Sequence, residues 1–289
     1  MTNSPGLNPC FILGAARSGT KLLRDLLAAS SEVAVVPYDV GYIWRQGNEF
    51  YPNDELTPEM LTPAIRKKIR NSLPALVSTE SSPEARIMLE KSVPNTLRAG
   101  YLQAVYPEAR FIHLIRDGRA VVESSYRQWQ APTERGYLLK KLRYFPWTNY
   151  RYALWYLINI LKGRFGSGRG QHIWGPRYSG IERDLEQESL EKVIARQWRK
   201  CVESSLQQTA GLDADRILEI RYENFVTGSD SLQQACRFLD ISDEAVVMDA
   251  YRQRITTVNM DKWKDRVEDI DYKAVMQEIG PLLKQLGYI

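Results

Sequence analysis

The chain has 289 residues, of which 44% are hydrophobic and 26% charged, and its formal net charge is +4. This apolar content is enough for a sizeable core. The mild positive charge favours an anionic ligand and argues against a nucleic-acid-binding protein. The three cysteines (Cys10, Cys201 and Cys236) lie far apart and form neither a disulfide framework nor a zinc pattern, so we expect a reducing, cytoplasmic location. The N-terminus has no basic leader, and no apolar run approaches the roughly 18 residues of a membrane-spanning helix.

Short apolar runs alternate with segments of helical spacing along the chain. The runs predict one strand that ends at Leu13 and others over 33–36, 86–90, 111–115 and 217–220. The spacing predicts helices over about 20–29, 94–105, 119–129, 190–210, 232–239 and 271–286. Thr62 and Pro63 open a further, basic helix, and Gly287 stops the last one. Strands separated by helices predict an α/β fold of three layers, with a mostly parallel central sheet flanked by helices.

The stretch over residues 11–23 combines a buried strand, a turn of small residues and the start of an amphipathic helix. Backbone N–H groups and the positive end of a helix dipole meet in such a turn, so it is an anion site. Two glycines let ligand oxygens approach the backbone closely, while two hydroxyls and two cations add donors and charge. We therefore expect a phosphate to contact Gly14, Ala16, Arg17, Ser18, Gly19, Thr20 and Lys21.

This turn has the glycine spacing of a nucleotide P-loop but not its residue order. Thr20 precedes Lys21, whereas the NTPase motif has lysine first, and the swap removes the hydroxyl from the usual Mg²⁺-binding position. Arg17 adds a cation inside the turn, which suits a ligand whose charge is met by side chains and not by a metal. A P-loop kinase or NTPase, with Asp117 as the metal ligand, stays open as an alternative, as does an ordinary strand–turn–helix.

A second constellation follows the strand at 111–115. Arg116 stands at the carboxyl end of that strand, where parallel sheets bind ligands, and Ser124 lies about two turns into the next helix. A cation and a hydroxyl placed in this way can converge on one anion. The plainer alternative is that Arg116 pairs with Asp117 while Ser124 faces solvent.

Together, the two motifs resemble those of the sulfotransferases that use 3′-phosphoadenosine-5′-phosphosulfate (PAPS). Residues 17–20 look like the loop that holds the 5′-phosphosulfate, and Arg116 and Ser124 look like the pair that holds the 3′-phosphate. Four further segments recur in bacterial-type and carbohydrate-type members and extend the resemblance over nearly the whole chain: 90–95, 174–177, 221–225 and 280–288.

The resemblance implies a P-loop-like sulfotransferase fold in a single domain over 1–289, with an aromatic and basic insertion at about 130–180. It implies PAPS as donor, no metal, and a hydroxyl or amine of a glycan, a lipid-linked compound or a small alcohol as acceptor. It also implies that Tyr222 lies near the adenine, although a core aromatic at a strand end is the alternative. A protein that binds the nucleotide without catalysis remains a third possibility.

Transfer of a sulfuryl group places negative charge on the departing phosphate oxygen, and fixed cations stabilise that charge. Arg17 and Lys21 are the catalytic candidates for this role. The acceptor must lose a proton, so a general base is expected. Related members place one near Glu90, which ends a strand on the side of the loop; an ion pair with Lys91 or with a loop arginine is the alternative. His172 is an outside candidate, and we expect His113 to be a satisfied core histidine.

The chain departs from the cytosolic small-molecule type of the family. That type has a lysine where Arg17 stands and uses a histidine base, and its C-terminal G-x-x-G-x-x-K element is absent here. The cations around Trp263 are candidates to replace its charge: Lys262, Lys264 and Arg266.

The segment Tyr137–Arg164 holds five tyrosines, two tryptophans, six cations and no acid. Aromatics beside lysine and arginine are typical of a membrane–water interface. The segment therefore predicts peripheral contact with an anionic membrane or with a lipid-linked acceptor. A core helix with a basic lead-in, or a homodimer interface, is the alternative.

Overall fold

Among the residues that it describes, the computed structural model has a central sheet of five parallel strands, in the order β2-β3-β1-β4-β5. The structure describes residues 6–37, 39–77, 82–130, 173–257, 263–265 and 270–289. The strands are β1 (Asn8–Leu13), β2 (Val33–Val35), β3 (Ile87–Glu90), β4 (Arg110–Ile115) and β5 (Ile217–Arg221). All five strands predicted from the apolar runs are confirmed to within two residues.

Eleven α-helices accompany the sheet within the described residues. In chain order they are α1 (Thr20–Leu27), α2 (Gly41–Trp44), α3 (Pro63–Ala75), α4 (Ala99–Val105), α5 (Gly118–Gln130), α6 (Ile181–Gln187), α7 (Leu190–Thr209), α8 (Tyr222–Thr227), α9 (Asp230–Phe238), α10 (Glu244–Arg254) and α11 (Tyr272–Gln285). Helices α1, α8, α9 and α10 pack with one face of the sheet. Helices α2, α3 and α4 pack with the opposite face, and α5, α6, α7 and α11 form a third cluster. The three-layer α/β fold is thus confirmed.

Capping residues explain several helix ends. The Thr62 hydroxyl accepts from the Ile65 N–H at 3.2 Å and Pro63 occupies the first helical position, as the sequence predicts. Gly287 ends the chain's last helix in the left-handed region at φ 71°.

The predicted helix over 94–105 is wrong as a single element. Residues Val93–Leu97 form a 3₁₀ helix, and α4 begins only at Ala99, because Arg98 between them has φ −142°. Helices α2, α6, α8 and α10 were also not predicted, because the first three have only four to seven residues and the eleven residues of α10 are weakly amphipathic.

The strand order places β1 between β3 and β4, so the connection that leaves β1 runs to one side, to β2, whereas the connection from β3 crosses β1 to reach β4 on the other side. Such a switch point is where open parallel sheets bind ligands, at the carboxyl ends of the strands. The loop after β1 and the end of β4 therefore meet at the position expected of a binding site. None of the helices in the described ranges has the length and apolar content needed to cross a membrane.

Candidate anion-binding site

The loop between β1 and α1 is a tight turn that ends in a helix N-terminus. The Ser18 N–H donates to the Ala15 carbonyl at 3.1 Å, and the Leu23 N–H makes the first bond of the helix, to the Gly19 carbonyl. The backbone N–H groups of residues 20–22 precede that bond and face out of the helix end. Arg17 and Gly19 have positive φ values of 66° and 90°, which turns the chain sharply at both positions.

Both glycines of the loop are needed for close packing. A Cβ on Gly14 would lie 2.5 Å from the Thr20 side chain and 2.8 Å from the Leu114 carbonyl oxygen. A Cβ on Gly19 would lie 2.6 Å from the Tyr222 ring. Since these distances are far below normal contact, no larger residue fits at either position without moving its neighbours. The loop is therefore held firmly against β4 and the start of α8.

Ser18 provides an independent sign of a ligand. Its side chain is only 1% exposed, and its hydroxyl has no hydrogen-bond partner among the described residues. Burying a hydroxyl without a partner costs about 1–3 kcal/mol. An oxyanion that also accepts from the helix amides would satisfy it, so the donors of this loop fit a phosphate or phosphosulfate.

The structure joins the two predicted motifs directly. The Arg17 guanidinium donates through Nε to the Ser124 hydroxyl of α5 at 2.9 Å. Arg116, at the end of β4, donates to the Arg17 carbonyl at 2.9 Å. The alternative arrangement is not observed, because Asp117 pairs with Arg119 at 2.7 Å and Ser124 is engaged by Arg17.

Tyr222 lies beneath this junction. Its ring is 6% exposed, and the Arg116 guanidinium carbon sits 4.2 Å from the ring centre, which is a favourable cation–π distance. The same ring packs against Gly19. The described contacts of Tyr222 therefore hold the loop and Arg116 in place, and its predicted position near the adenine stays a prediction.

The site is electropositive. Partial burial of the Arg17 side chain lowers the pKa of Arg17 below its ordinary value, and repulsion from Arg116 and Arg127 lowers it further. Arg127 is ion-paired with the buried Glu123 at 2.9 Å, and Lys21 is exposed at the start of α1. An anion bound among these cations would relieve their mutual repulsion.

Glu90 ends β3 in register with Phe11 of β1 and is 0% exposed. Its carboxylate accepts from the Ser92 hydroxyl and from the Asn95 amide at 2.5 Å. Burial raises the pKa of Glu90 to about 7. An ion pair with Lys91, one of the two predicted alternatives, is not formed.

Lys91 instead pairs with Asp39 at 3.0 Å. Asp39 follows β2 at the same edge of the sheet, and its side chain is 39% exposed. Sequence reasoning missed this residue, although a carboxylate just after an apolar strand was the available signal. The structure thus adds a second, more accessible carboxylate to the edge where Glu90 lies.

His113 is in the core, as predicted, but it is not satisfied: neither ring nitrogen has a partner in the described part of the chain. Burial lowers its pKa to about 4.

His172, Lys262, Arg266 and Tyr137–Arg164 lie outside the described residues, so predictions about them are not tested. Lys264 is exposed, and Trp263 stacks on Arg119 at 4.6 Å.

The segment 174–177 is anchored from two sides. The Asp54 carboxylate accepts from the Arg177 N–H at 2.8 Å, and Gln197 donates to the carbonyls of Trp174 and Pro176. These bonds tie the segment to α7 and to the loop that precedes α3.

Comparison with known proteins gives the family. Residues 9–169, more than half of the chain, match the model of a family described as the sulfotransferase family. A protein-tyrosine sulfotransferase of Drosophila melanogaster is 29% identical over 126 residues, covering 39% of this chain and 24% of the relative. Protein-tyrosine sulfotransferase 2 of Gallus gallus is 32% identical over 126 residues, covering 39% and 32%. The match thus spans a third or less of these curated relatives.

Solved structures support the fold. Sulfotransferase STF9 of Mycobacterium avium is 13% identical and superposes with a TM-score of 0.54; the match covers 98% of this chain and 78% of the STF9 chain. The sulfotransferase domain of the Synechococcus PCC 7002 olefin synthase is 20% identical, covers 91% and 90%, and has a TM-score of 0.50. At these identities the likeness shows the architecture alone.

Proposed function

The chain belongs to the sulfotransferase family, and we propose that it transfers the sulfuryl group of PAPS to a hydroxyl or amine of an acceptor. One observation carries the proposal beyond the family match. The loop after β1 and the Arg116–Ser124 pair, which would hold the two phosphate-bearing ends of one nucleotide, are in direct hydrogen-bond contact at the switch point of the sheet.

The donor's two ends would be held by different parts of this site. The helix amides and the buried Ser18 hydroxyl fit the 5′-phosphosulfate, while Arg116 and Ser124 fit the 3′-phosphate, since arginine and a hydroxyl are suited to phosphate oxygens. The full proposed set is Gly14, Ala16, Arg17, Ser18, Gly19, Thr20, Lys21, Arg116, Ser124 and Tyr222.

When bound, the donor supplies an activated sulfuryl group attached through a bridging phosphate oxygen. The acceptor oxygen or nitrogen forms a bond to sulfur as the bond between sulfur and that bridging oxygen breaks. Arg17 and Lys21 stabilise the electron pair left on the phosphate, and a carboxylate takes the acceptor's proton. Glu90 remains the proposed base, because a pKa of about 7 suits proton transfer near neutral pH. The accessible Asp39 is the second candidate.

The acceptor is proposed only by class. A glycan, a lipid-linked hydroxyl and a small alcohol follow from the resemblance of the motifs. A tyrosine hydroxyl joins them, since the curated relatives are named protein-tyrosine sulfotransferases.

Two measurements test this proposal. Calorimetry should show that the chain binds the bisphosphate product of PAPS more tightly than ATP with Mg²⁺. Incubation with sulfate-labelled PAPS and pools of glycans, lipids, small alcohols and tyrosyl peptides should label one pool. Preference for ATP–Mg²⁺, with activity lost on adding a chelator, would favour the kinase or NTPase alternative. Tight binding of the bisphosphate with no labelled pool would favour a non-catalytic nucleotide-binding protein.

A further inference from the structure

We propose that Glu223 and Tyr288 are positioning residues for Arg116: they hold the turn that follows it and so set how well the site distinguishes a nucleotide with a 3′-phosphate from one without. This inference rests on the proposed function and deepens it, because both residues stand outside the proposed donor-binding set. They belong to the segments 221–225 and 280–288, which carry part of the family resemblance.

These two segments meet beside the end of β4. Arg221 of β5 pairs in the sheet with Ile115, the residue before Arg116. The Arg221 guanidinium donates to the Leu286 carbonyl at 2.7 Å, and its carbon lies 4.8 Å from the centre of the Tyr288 ring, which is a cation–π distance. The residues that follow α11 are therefore docked on the strand end next to Arg116.

Glu223 holds the main chain of the turn after Arg116. One oxygen of its carboxylate accepts from the Asp117 N–H at 3.0 Å, and this N–H belongs to the peptide bond that joins Arg116 to Asp117. The residue before Glu223 is Tyr222, whose ring lies under the Arg116 guanidinium. The first two residues of α8 thus hold Arg116 by its main chain and by its side chain.

Tyr288 in turn fixes Glu223. The Tyr288 hydroxyl donates to the second oxygen of the Glu223 carboxylate at 2.9 Å. Burial raises the pKa of Tyr288, so this hydroxyl keeps its proton and stays a donor at neutral pH. The Tyr288 carbonyl accepts from Arg119 at 3.3 Å, and Arg119 pairs with Asp117. Since both carboxylate oxygens of Glu223 are bound, the carboxylate cannot rotate without breaking one of these bonds.

A guanidinium recognises a phosphate best when it is held in place, because two-pronged contact depends on geometry. If the peptide bond after Arg116 turns, its guanidinium moves relative to the 3′-phosphate. The proposed site for the other end of the nucleotide, in the loop after β1, is affected less. Loss of the contacts of Glu223 or Tyr288 should therefore weaken binding of a nucleotide with a 3′-phosphate more than binding of one without it.

Calorimetry with adenosine 3′,5′-bisphosphate and adenosine 5′-monophosphate tests this proposal without any turnover. Glu223→Ala removes both hydrogen bonds, and Tyr288→Phe removes the hydroxyl but keeps the ring and the carbonyl. Each variant should lower the preference for the bisphosphate by about threefold to tenfold, as for the partial loss of a hydrogen bond to a charged group. The double variant should lose no more than Glu223→Ala alone, because Tyr288 acts through Glu223. Glu223→Gln keeps an oxygen that can accept from the Asp117 N–H and should retain more of the preference than Glu223→Ala.

Tyr251→Phe is the matched control. The Tyr251 hydroxyl donates to the Phe225 carbonyl at 3.1 Å, so its removal loosens the same helix, α8, two residues beyond Glu223. Thermal melts of every variant report the accompanying loss of stability. Tyr251→Phe should lower the melting temperature and leave the preference for the bisphosphate unchanged.

Three results would overturn the positioning role. They are an unchanged preference in Tyr288→Phe and Glu223→Ala, an equal loss of affinity for both nucleotides, and a loss of preference in Tyr251→Phe as large as that in Tyr288→Phe. If Glu223→Ala does not fold, Tyr288→Phe and Glu223→Gln decide the outcome by the same criteria. A wild type without preference for the bisphosphate would instead overturn the proposed function.

Discussion

Arg116 is the residue whose predicted role is most directly measurable. If it binds the 3′-phosphate as a two-pronged donor, Arg116→Ala should remove most of the preference for the bisphosphate over the monophosphate, a loss of about 10- to 100-fold. Arg116→Lys should recover only part of it, since lysine keeps the charge but not the planar fork. Competitive titration with the two nucleotides measures both effects.

The control for this experiment follows from the packing of Arg116. Because its guanidinium also lies on Tyr222, thermal melts should accompany each titration. Tyr222→Phe keeps the ring and should keep the nucleotide preference. An equal loss of affinity for both nucleotides in Arg116→Ala would contradict a 3′-phosphate role.

Two carboxylates at the carboxyl ends of the strands, those of Glu90 and Asp39, are the candidates for the general base. A base must be deprotonated to act, so if Glu90 is the base, kcat/KM should rise as the pH rises through about 7, the pKa of Glu90. Glu90→Gln should abolish this rise and lower kcat strongly, by roughly 10²–10⁴-fold, while binding of the bisphosphate stays nearly intact.

Asp39→Asn is the matched comparison, because it alters an accessible carboxylate at the same edge. If Glu90 is the base, this variant should keep the rise of kcat/KM with pH but move it to lower pH, because the charge of Asp39 helps to raise the pKa of Glu90. Full activity in Glu90→Gln combined with a large loss in Asp39→Asn would transfer the role to Asp39. His172 would be tested next if neither variant lost activity.

Much of the site was predictable at the level of residue types. Gly14 and Gly19 indicate a turn whose backbone approaches a ligand closely, and Arg116 at a strand end indicates an anion-binding site. The contact between Arg17 and Ser124 was not predictable, because it depends on how β1 and β4 lie side by side and not on any local pattern. The role of Tyr222 as a support was hidden for the same reason.

At the level of elements, Glu32 joins the start of β2 to the turn between α9 and α10. Its carboxylate accepts from the backbone and hydroxyl of Ser242 and from Arg86. Hydrogen bonds from Ser242 are the main reason that the pKa of Glu32 is lowered to about 2, and the contacts with Arg86 contribute less.

This lowered pKa predicts a dependence of stability on pH. In the unfolded chain Glu32 titrates near 4.5, so its ionised form stabilises the fold fully above that pH. The stabilisation is lost as the pH falls from about 4.5 to about 2. Glu32→Gln should lower the free energy of unfolding at pH 7 by about 1.5–3 kcal/mol and should make stability less sensitive to acid in that window.

Urea denaturation at pH 7, 4.5 and 3 would measure this effect. Glu219→Gln, at an exposed position of β5, is the control and should change stability little at any of these pH values. A Glu32→Gln variant as stable as the wild type at pH 7 would show that the bonds to Ser242 and Arg86 contribute nothing net.

The elements that were predicted well are those with a strong local signal. The strand β4 is apolar except for Arg110 at its start and His113 near its middle, and α3 has both its N-cap and its proline. The split at Arg98 was not foreseen, because Asn95 and Arg98 turn inward, where Asn95 bonds to Glu90 and Arg98 bonds to Asn95. That arrangement is a tertiary contact, and the helical spacing of apolar residues does not predict it.

At the scale of the whole molecule, the alternation of strands and helices was enough to predict a parallel three-layer fold. The order of the strands was not predicted, although it decides which loops meet. Since β1 lies beside both β3 and β4, the loop after β1, Glu90 and Arg116 share one edge of the sheet. The single-domain organisation and the insertion at about 130–180 remain predictions, because residues 131–172 lie outside the described part of the chain.

The last prediction concerns how the acceptor reaches this edge, and it rests on the sequence of Tyr137–Arg164 alone. Its tyrosines, tryptophans and six cations without an acid fit the surface of an anionic membrane. The chain should therefore float with vesicles that contain anionic lipids at low salt, and binding should weaken as salt rises. Replacing Lys140, Lys141 and Arg143 with Gln should reduce flotation, whereas Lys67→Gln and Lys68→Gln on the exposed face of α3 should not. Absence of flotation at low salt, together with full activity on a water-soluble acceptor, would assign the segment to the core or to a homodimer contact.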